Sequence, residues 1–207
     1  GDGVMAIPTV KALEKELSLI IKGPHWTKVL YPNHTYWPAR KKHVPQNGVI
    51  LLKPSFGAAW RHKHHPIRIG LSTNHRGFLL SHPINDSQKH RVDSYLSIAE
   101  ALVPVHNRIP IFEPSKTTIP FVPKESILFV VGTSSAQTVR FKAFEKLKSH
   151  KKNLYFLGGL EDAPLLQKLS EQGFHTLPHK LTLHQIGLLA QRARILIGID
   201  GGLTHLS

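Results

Sequence analysis

The segment Ile195 to Ser207, ILIGIDGGLTHLS, reads as an apolar strand that runs into Asp200-Gly201-Gly202 and then into the first turn of a helix. A strand that ends in glycines and passes straight into a helix narrows the choice of fold, because parallel sheets are assembled from such units. It also bears chemistry. Glycines let backbone N–H groups approach an anion, and the helix start adds partial positive charge. A nucleotide diphosphate is the expected ligand of this turn, set against the plain alternative of a structural βα turn.

The same alternation of strand and helix runs through the chain, which is α/β with parallel sheets. Val10, Leu13 and Leu17 form the apolar stripe of a first helix, with Lys11, Glu14, Lys15 and Glu16 on its other face. Strands are expected at 19–22, 49–53 and 67–71, a helix through Trp60, and a helix over 92–103 with Tyr95, Leu96, Ala99 and Leu102 inward. Residues 26–46 show no periodicity and stay unassigned. Pro110, Pro114, Pro120 and Pro123 then mark an extended connector. Beyond it the pattern restarts, with strands at 127–131, 153–157 and 195–199 and helices at 138–149, 162–172 and 183–192. The expected division is residues 1–109, a proline-rich link over 110–123, and residues 124–207.

Composition excludes several classes. No apolar run approaches the roughly 20 residues of a membrane-spanning helix, no leader is visible ahead of the first helix, and without cysteine there are no disulfides or thiolate metal sites. The formal net charge of +14 implies an acidic partner. Between Arg40 and Arg91 ten Lys or Arg face one acid, Asp86. Such a stretch suits a phosphorylated substrate, an anionic membrane surface or nucleic acid, or it is a solvated face. His62, His64 and His65 are flanked by Arg61 and Lys63 with no acid nearby, and are expected to extend the positive surface instead of holding a metal.

Four small-residue turns fall beside helix starts or strand ends: Gly1-Asp2-Gly3, Gly132-Thr133-Ser134-Ser135, Gly158-Gly159-Leu160-Glu161 and Asp200-Gly201-Gly202. Ligands of open parallel sheets bind at the carboxyl edge, so the last three are expected to converge on one ligand. Thr133 and Ser134 offer hydroxyls to phosphate, Glu161 accepts from a ribose, and the turn at 200–204 meets the diphosphate. Asp2 is either a helix cap or a general base for a hydroxyl nucleophile.

The stretches GDGVMAIPTVKAL, SFGAAW, HPIRIGLSTNHRGFLLSH, HRVDSYLSIAEAL, NLYFLGGLED and IGIDGGLTHLS occur in an order that resembles the lipopolysaccharide heptosyltransferases of glycosyltransferase family 9, most of all the heptosyltransferase II branch. The resemblance implies two Rossmann-like lobes of GT-B type, both incomplete at the chain ends, and inverting transfer of heptose from ADP-heptose to the lipopolysaccharide inner core. It implies no cofactor and no metal, a cytoplasmic enzyme peripheral on the inner membrane, and no specific nucleic-acid partner. By position it makes Asp2 the base that deprotonates the acceptor. Asp200, Gly201, Gly202, Thr204 and His205 become the holders of the donor diphosphate and sugar, and Glu161 the nucleoside contact. The basic stretch, with Arg61, Arg68, Arg76 and Arg91, then suits an acceptor rich in carboxylates and phosphates.

Three features depart from the family pattern. Gly201 replaces a Ser or Thr, the Lys-Arg-Trp-Pro segment falls on 137–140 without its lysine and tryptophan, and the chain is short, as expected of a fragment or a degenerate gene product. A non-catalytic relative and a basic nucleic-acid-binding α/β protein are the alternative readings.

Overall fold

The computed structural model describes residues 2–39, 47–86, 90–132, 152–198 and 203–206. It forms two compact units, Asp2–Ile111 and Phe112–Ser207.

The first unit begins with two helices, α1 (Asp2–Met5) and α2 (Ile7–Leu13). Pro8 is tolerated in the first turn of α2, where backbone N–H groups have no helical partner to lose. Leu17 lies beyond the end of α2 and is exposed, so the apolar stripe closes at Leu13 and not at Leu17. A two-stranded parallel sheet pairs β1 (Ile20–Gly23) with β2 (Thr35–Pro38), and α3 (Thr27–Leu30) joins them. The second sheet has the order β3-β4-β5 and is parallel throughout, from Gly48–Leu51, Ile67–Leu71 and His82–Ile84. Between β3 and β4 runs α4 (Phe56–Arg61), capped by the Ser55 hydroxyl, which accepts from Ala58 N at 3.3 Å. The long helix α5 (Arg91–Glu100) covers the sheet: Ile98 packs with Ile69 and Leu71, and Ala99 with Ala12 and Leu13 of α2. Leu102, expected inward, is partly exposed beyond the helix end, and Ile98 takes its place in the core.

Among the described residues the second unit has a four-stranded parallel sheet, β8-β7-β6-β9, made of His175–Thr176, Leu154–Leu157, Ile127–Val130 and Ile195–Gly198. All its ladders are parallel, so each neighbour is reached through a crossover. Helix α6 (Ala163–Glu171) buries Leu166 and Leu169 against Phe129, Phe156 and Phe174. Helix α7 (Leu183–Arg192) starts on a reciprocal cap in which Thr182 and Gln185 exchange side-chain and backbone hydrogen bonds. The expected helix over 138–149 lies outside the described residues.

The proline-rich stretch has no regular structure, as its composition requires, yet it is not loose from Phe112 onward. Phe112 is buried and stacks on His184 of α7 with ring centroids 5.6 Å apart. Ser115 N donates to His184 Nδ1 at 3.0 Å, and Gln185 Nε2 donates to the Thr118 carbonyl at 2.9 Å. Side chains of α7 thus supply hydrogen bonds that an extended, proline-interrupted chain cannot obtain from a ladder.

Candidate functional site

In the first unit the chemistry gathers at the N-terminal carboxylate. Asp2 occupies the first turn of α1 and is exposed, whereas the two groups that hold this turn are buried. Tyr95 of α5, 1% exposed, donates its hydroxyl to the Asp2 carboxylate. Tyr31 donates to the Gly3 carbonyl at 2.7 Å. Burial, followed by the negative charge of Asp2, pushes the Tyr95 hydroxyl well above the usual phenol range, and burial does the same to Tyr31. Both therefore stay protonated and donate. The Arg91 guanidinium lies 5.9 Å from the Tyr95 ring centroid, which places a cation beside this cluster. Asp2 carries the family motif, but Tyr95 and Tyr31 were not legible as site residues. Tyr95 follows the apolar spacing of its helix and looks like core.

In the second unit, β7, β6 and β9 lie side by side, and their carboxyl ends carry Gly158, Gly132 and Gly198. The expected turns at Gly132 and Gly158 thus start from adjacent strand ends beside β9, while the expected turn at 200–202 lies outside the described residues. Gly132 has no room for a side chain, because a Cβ there would collide with the Asp162 carboxylate. Gly198 is closed in the same way by the Thr204 methyl group, which packs against the end of β9. Thr204 and His205 lie in a short 3-10 turn beyond it. Glu161 is exposed on this edge, and its neighbour Asp162 is the acid that turns inward. Asp162 is buried and accepts from Gly159 N at 2.9 Å through Oδ2, bracing the turn between β7 and α6. Thr133, Ser134, Asp200, Gly201 and Gly202 lie outside the described residues.

A family model, glycosyltransferase family 9 (heptosyltransferase), matches residues 42–207. The chain belongs to glycosyltransferase family 9. Three solved structures of low sequence identity share its fold. The family 9 glycosyl transferase from Veillonella parvula is 18% identical with a TM-score of 0.71, over 100% of this chain and 74% of that one. The E. coli heptosyltransferase WaaC with ADP is 13% identical with a TM-score of 0.71, over 99% of this chain and 79% of that one. WaaC with ADP-2-deoxy-2-fluoro heptose is 12% identical with a TM-score of 0.70, over 99% and 81%. No curated protein sequence matches the chain. The architecture is that of the GT-B glycosyltransferases, with parallel sheets in both units, and the chain is a glycosyltransferase.

The four arginines expected to form an anionic-ligand surface do not act alike in this family 9 chain. Arg61 and Arg91 are exposed. Arg68 spends its guanidinium on the carbonyls of Leu79, at 2.6 Å, and of His65 and Pro66. Arg76 corrects the expectation outright, because it is 0% exposed. Its Nε donates to the Leu71 carbonyl at 2.7 Å, and its terminal nitrogens donate to those of Lys53 at 2.6 Å, Leu51 at 3.3 Å and Ser55 at 3.4 Å. Asn74 and His75 stand at φ 55° and 54°, and this left-handed turn carries the chain back so that Arg76 reaches beneath the ends of β3 and β4. Burial lowers its pKa, and backbone carbonyls answer its charge.

The histidines correct another expectation. His62 and His65 are buried, with ring centroids 5.4 Å apart, and His64 lies 4.4 Å from His65. Burial first, then the charges of Lys22, His65, His64 and Arg61, pushes His62 down to about 4, so it is neutral near pH 7 and adds nothing to the positive surface. Among the described residues no cluster of His, Asp or Glu is suited to a metal ion. The unfolded chain regains an ordinary histidine pKa and takes up the proton first as pH falls. Stability is therefore full above about pH 6.5 and declines toward about pH 4 as this group must take up its proton. Urea midpoints measured across this window test the assignment: a His62→Gln variant should lose most of the slope, and an unchanged slope would rule it out.

Proposed function

We propose that this chain transfers heptose from ADP-heptose to a sugar hydroxyl of the lipopolysaccharide inner core, as a member of the heptosyltransferase II branch, with inversion and without a metal. The observation that carries the reading is the Asp2 carboxylate, exposed to an acceptor on one side and held by a buried, protonated Tyr95 on the other. The family match and the WaaC structures, which contain ADP and an ADP-heptose analogue, support the donor.

In one displacement, the acceptor oxygen attacks the anomeric carbon while Asp2 takes its proton and the bond to the diphosphate breaks, so ADP leaves and the configuration inverts. Charge gathering on the departing diphosphate is met by Thr133, Ser134, Thr204, His205 and the backbone N–H groups at Asp200, Gly201 and Gly202. Glu161 meets the nucleoside ribose. Exposed Arg61 and Arg91 attract the phosphorylated acceptor. Its lipid end places the enzyme on the cytoplasmic face of the inner membrane as a peripheral protein; no described helix is long and apolar enough to cross a bilayer.

Titration with nucleotides tests the donor half directly. ADP is expected to bind at least about ten-fold more tightly than UDP, and a hundred-fold excess over Kd to stabilise the fold by about 2.7 kcal/mol. UDP binding as tightly as ADP would exclude an ADP-sugar donor.

A further inference from the structure

The carboxyl ends of β3 and β4 carry an exposed aromatic cluster that the transfer chemistry leaves unused. Phe56 opens α4, Trp60 follows one turn later, and Phe78 projects from the 3-10 turn Gly77–Leu79. Their exposures are 43%, 51% and 75%, among the highest of the large apolar side chains of this unit. They are not scattered: Phe56 stacks against Trp60 with centroids 6.2 Å apart and meets Phe78 at 6.0 Å. Aromatic surface gathered in one exposed place marks a contact with something else.

The surrounding charge identifies the partner. Lys63 holds its ammonium 3.9 Å over the Trp60 ring, and Lys53 and Arg61 are exposed on the same segment. No Asp or Glu occurs between Leu17 and Asn85. Indole and phenyl rings beside lysine and arginine match the two layers of an anionic bilayer surface, with rings at the acyl boundary and cations at the headgroups. A sugar ligand fits less well, because a ring face on which a pyranose would stack already carries the Lys63 ammonium.

We propose that Phe56, Trp60 and Phe78, flanked by Lys53, Arg61 and Lys63, dock this chain onto anionic lipid bilayers. Docking at this edge of the β3-β4-β5 sheet deepens the proposed use of a lipid-borne acceptor and rests on that reading for its purpose only. The binding itself needs neither donor nor acceptor.

Co-sedimentation of the full chain with phosphatidylcholine vesicles, with and without phosphatidylglycerol, tests the proposal. Wild type should pellet with the phosphatidylglycerol vesicles and be released by high salt. The double substitution Trp60→Ser with Phe78→Ser, at positions too exposed to endanger folding, should weaken vesicle binding about ten-fold or more while leaving circular dichroism and the ADP isotherm unchanged. Lys63→Gln should weaken it less and reduce its salt dependence. No vesicle binding by wild type, or equal binding by the double variant, overturns the proposal even if ADP binds as expected. So does a double variant whose only change is a higher KM for a delipidated, soluble acceptor, which would make the rings an acceptor contact. Vesicle binding without ADP binding upholds the docking face and removes the ADP-heptose reading instead.

Discussion

Asp2→Asn is expected to bind ADP as wild type does and to turn over about 10²- to 10⁴-fold more slowly, the range that a positioned general base contributes. The asparagine keeps the shape of the side chain and can still accept a hydrogen bond from Tyr95, so the fold around α1 has little reason to change. It cannot take a proton from an acceptor hydroxyl. The loss should therefore appear in kcat and kcat/KM alike. Single-turnover rates with ADP-heptose beside an ADP isotherm separate the two quantities, and wild-type turnover by this variant would remove Asp2 from the mechanism. Tyr95→Phe should have a smaller effect of a different kind. Its hydroxyl orients the Asp2 carboxylate, so removing it should lower kcat while leaving the ADP isotherm unchanged. A variant that loses stability but keeps the wild-type kcat would give Tyr95 a packing role alone.

Arg76→Leu should destabilise the first unit by on the order of 3–5 kcal/mol, enough to unfold many domains of this size. The cation is wholly enclosed, and removing it strips donors from the carbonyls of Leu51, Lys53, Ser55 and Leu71 at the ends of two adjacent strands. Lysine is a poor substitute, since one ammonium cannot reproduce the planar fork that reaches several carbonyls together. Urea unfolding of the variants measures the effect. If Arg76→Leu kept its midpoint and instead raised the KM for acceptor many-fold, Arg76 would be a ligand residue after all, as the basic sequence around it suggests.

That contrast shows what a linear sequence discloses here. The strands at β3, β4, β6, β7 and β9 were legible because each is an apolar run ended by a turn signal, and α7 falls on the expected span because its apolar spacing is bracketed by Thr182 and Ala193. The short strands β2, β5 and β8 were not, since TYWP, HPI and HT contain proline or polar residues and are strands only through their neighbours. The strand ends at Gly132 and Gly158 were legible because crowding at a strand end favours glycine. Which acid faces that edge from within was not: Glu161 and Asp162 are adjacent, and only the 3-10 turn at 160–162 decides that Asp162 is enclosed. Charge was the least legible property. Arg76, His62 and His65 stand in a basic run with no periodicity to show that they turn inward.

The pairing of β6 with both β7 and β9 also sets a timetable for synthesis. Ile127 must register with Leu154 on one side and with Ile195 on the other, so the central strand waits until Ile195 is made before its second edge is covered. Long-range parallel pairing of this kind is slow and leaves an open strand edge in the interval. A nascent chain halted before Ile195 would expose β6 to other chains, whereas the first unit, whose β3-β4-β5 sheet closes within Gly48–Ile84, would already be complete as a sheet. The turn expected to grip the diphosphate therefore leaves the ribosome only after β6 and β7 have emerged, and nucleotide binding cannot begin until translation has passed it.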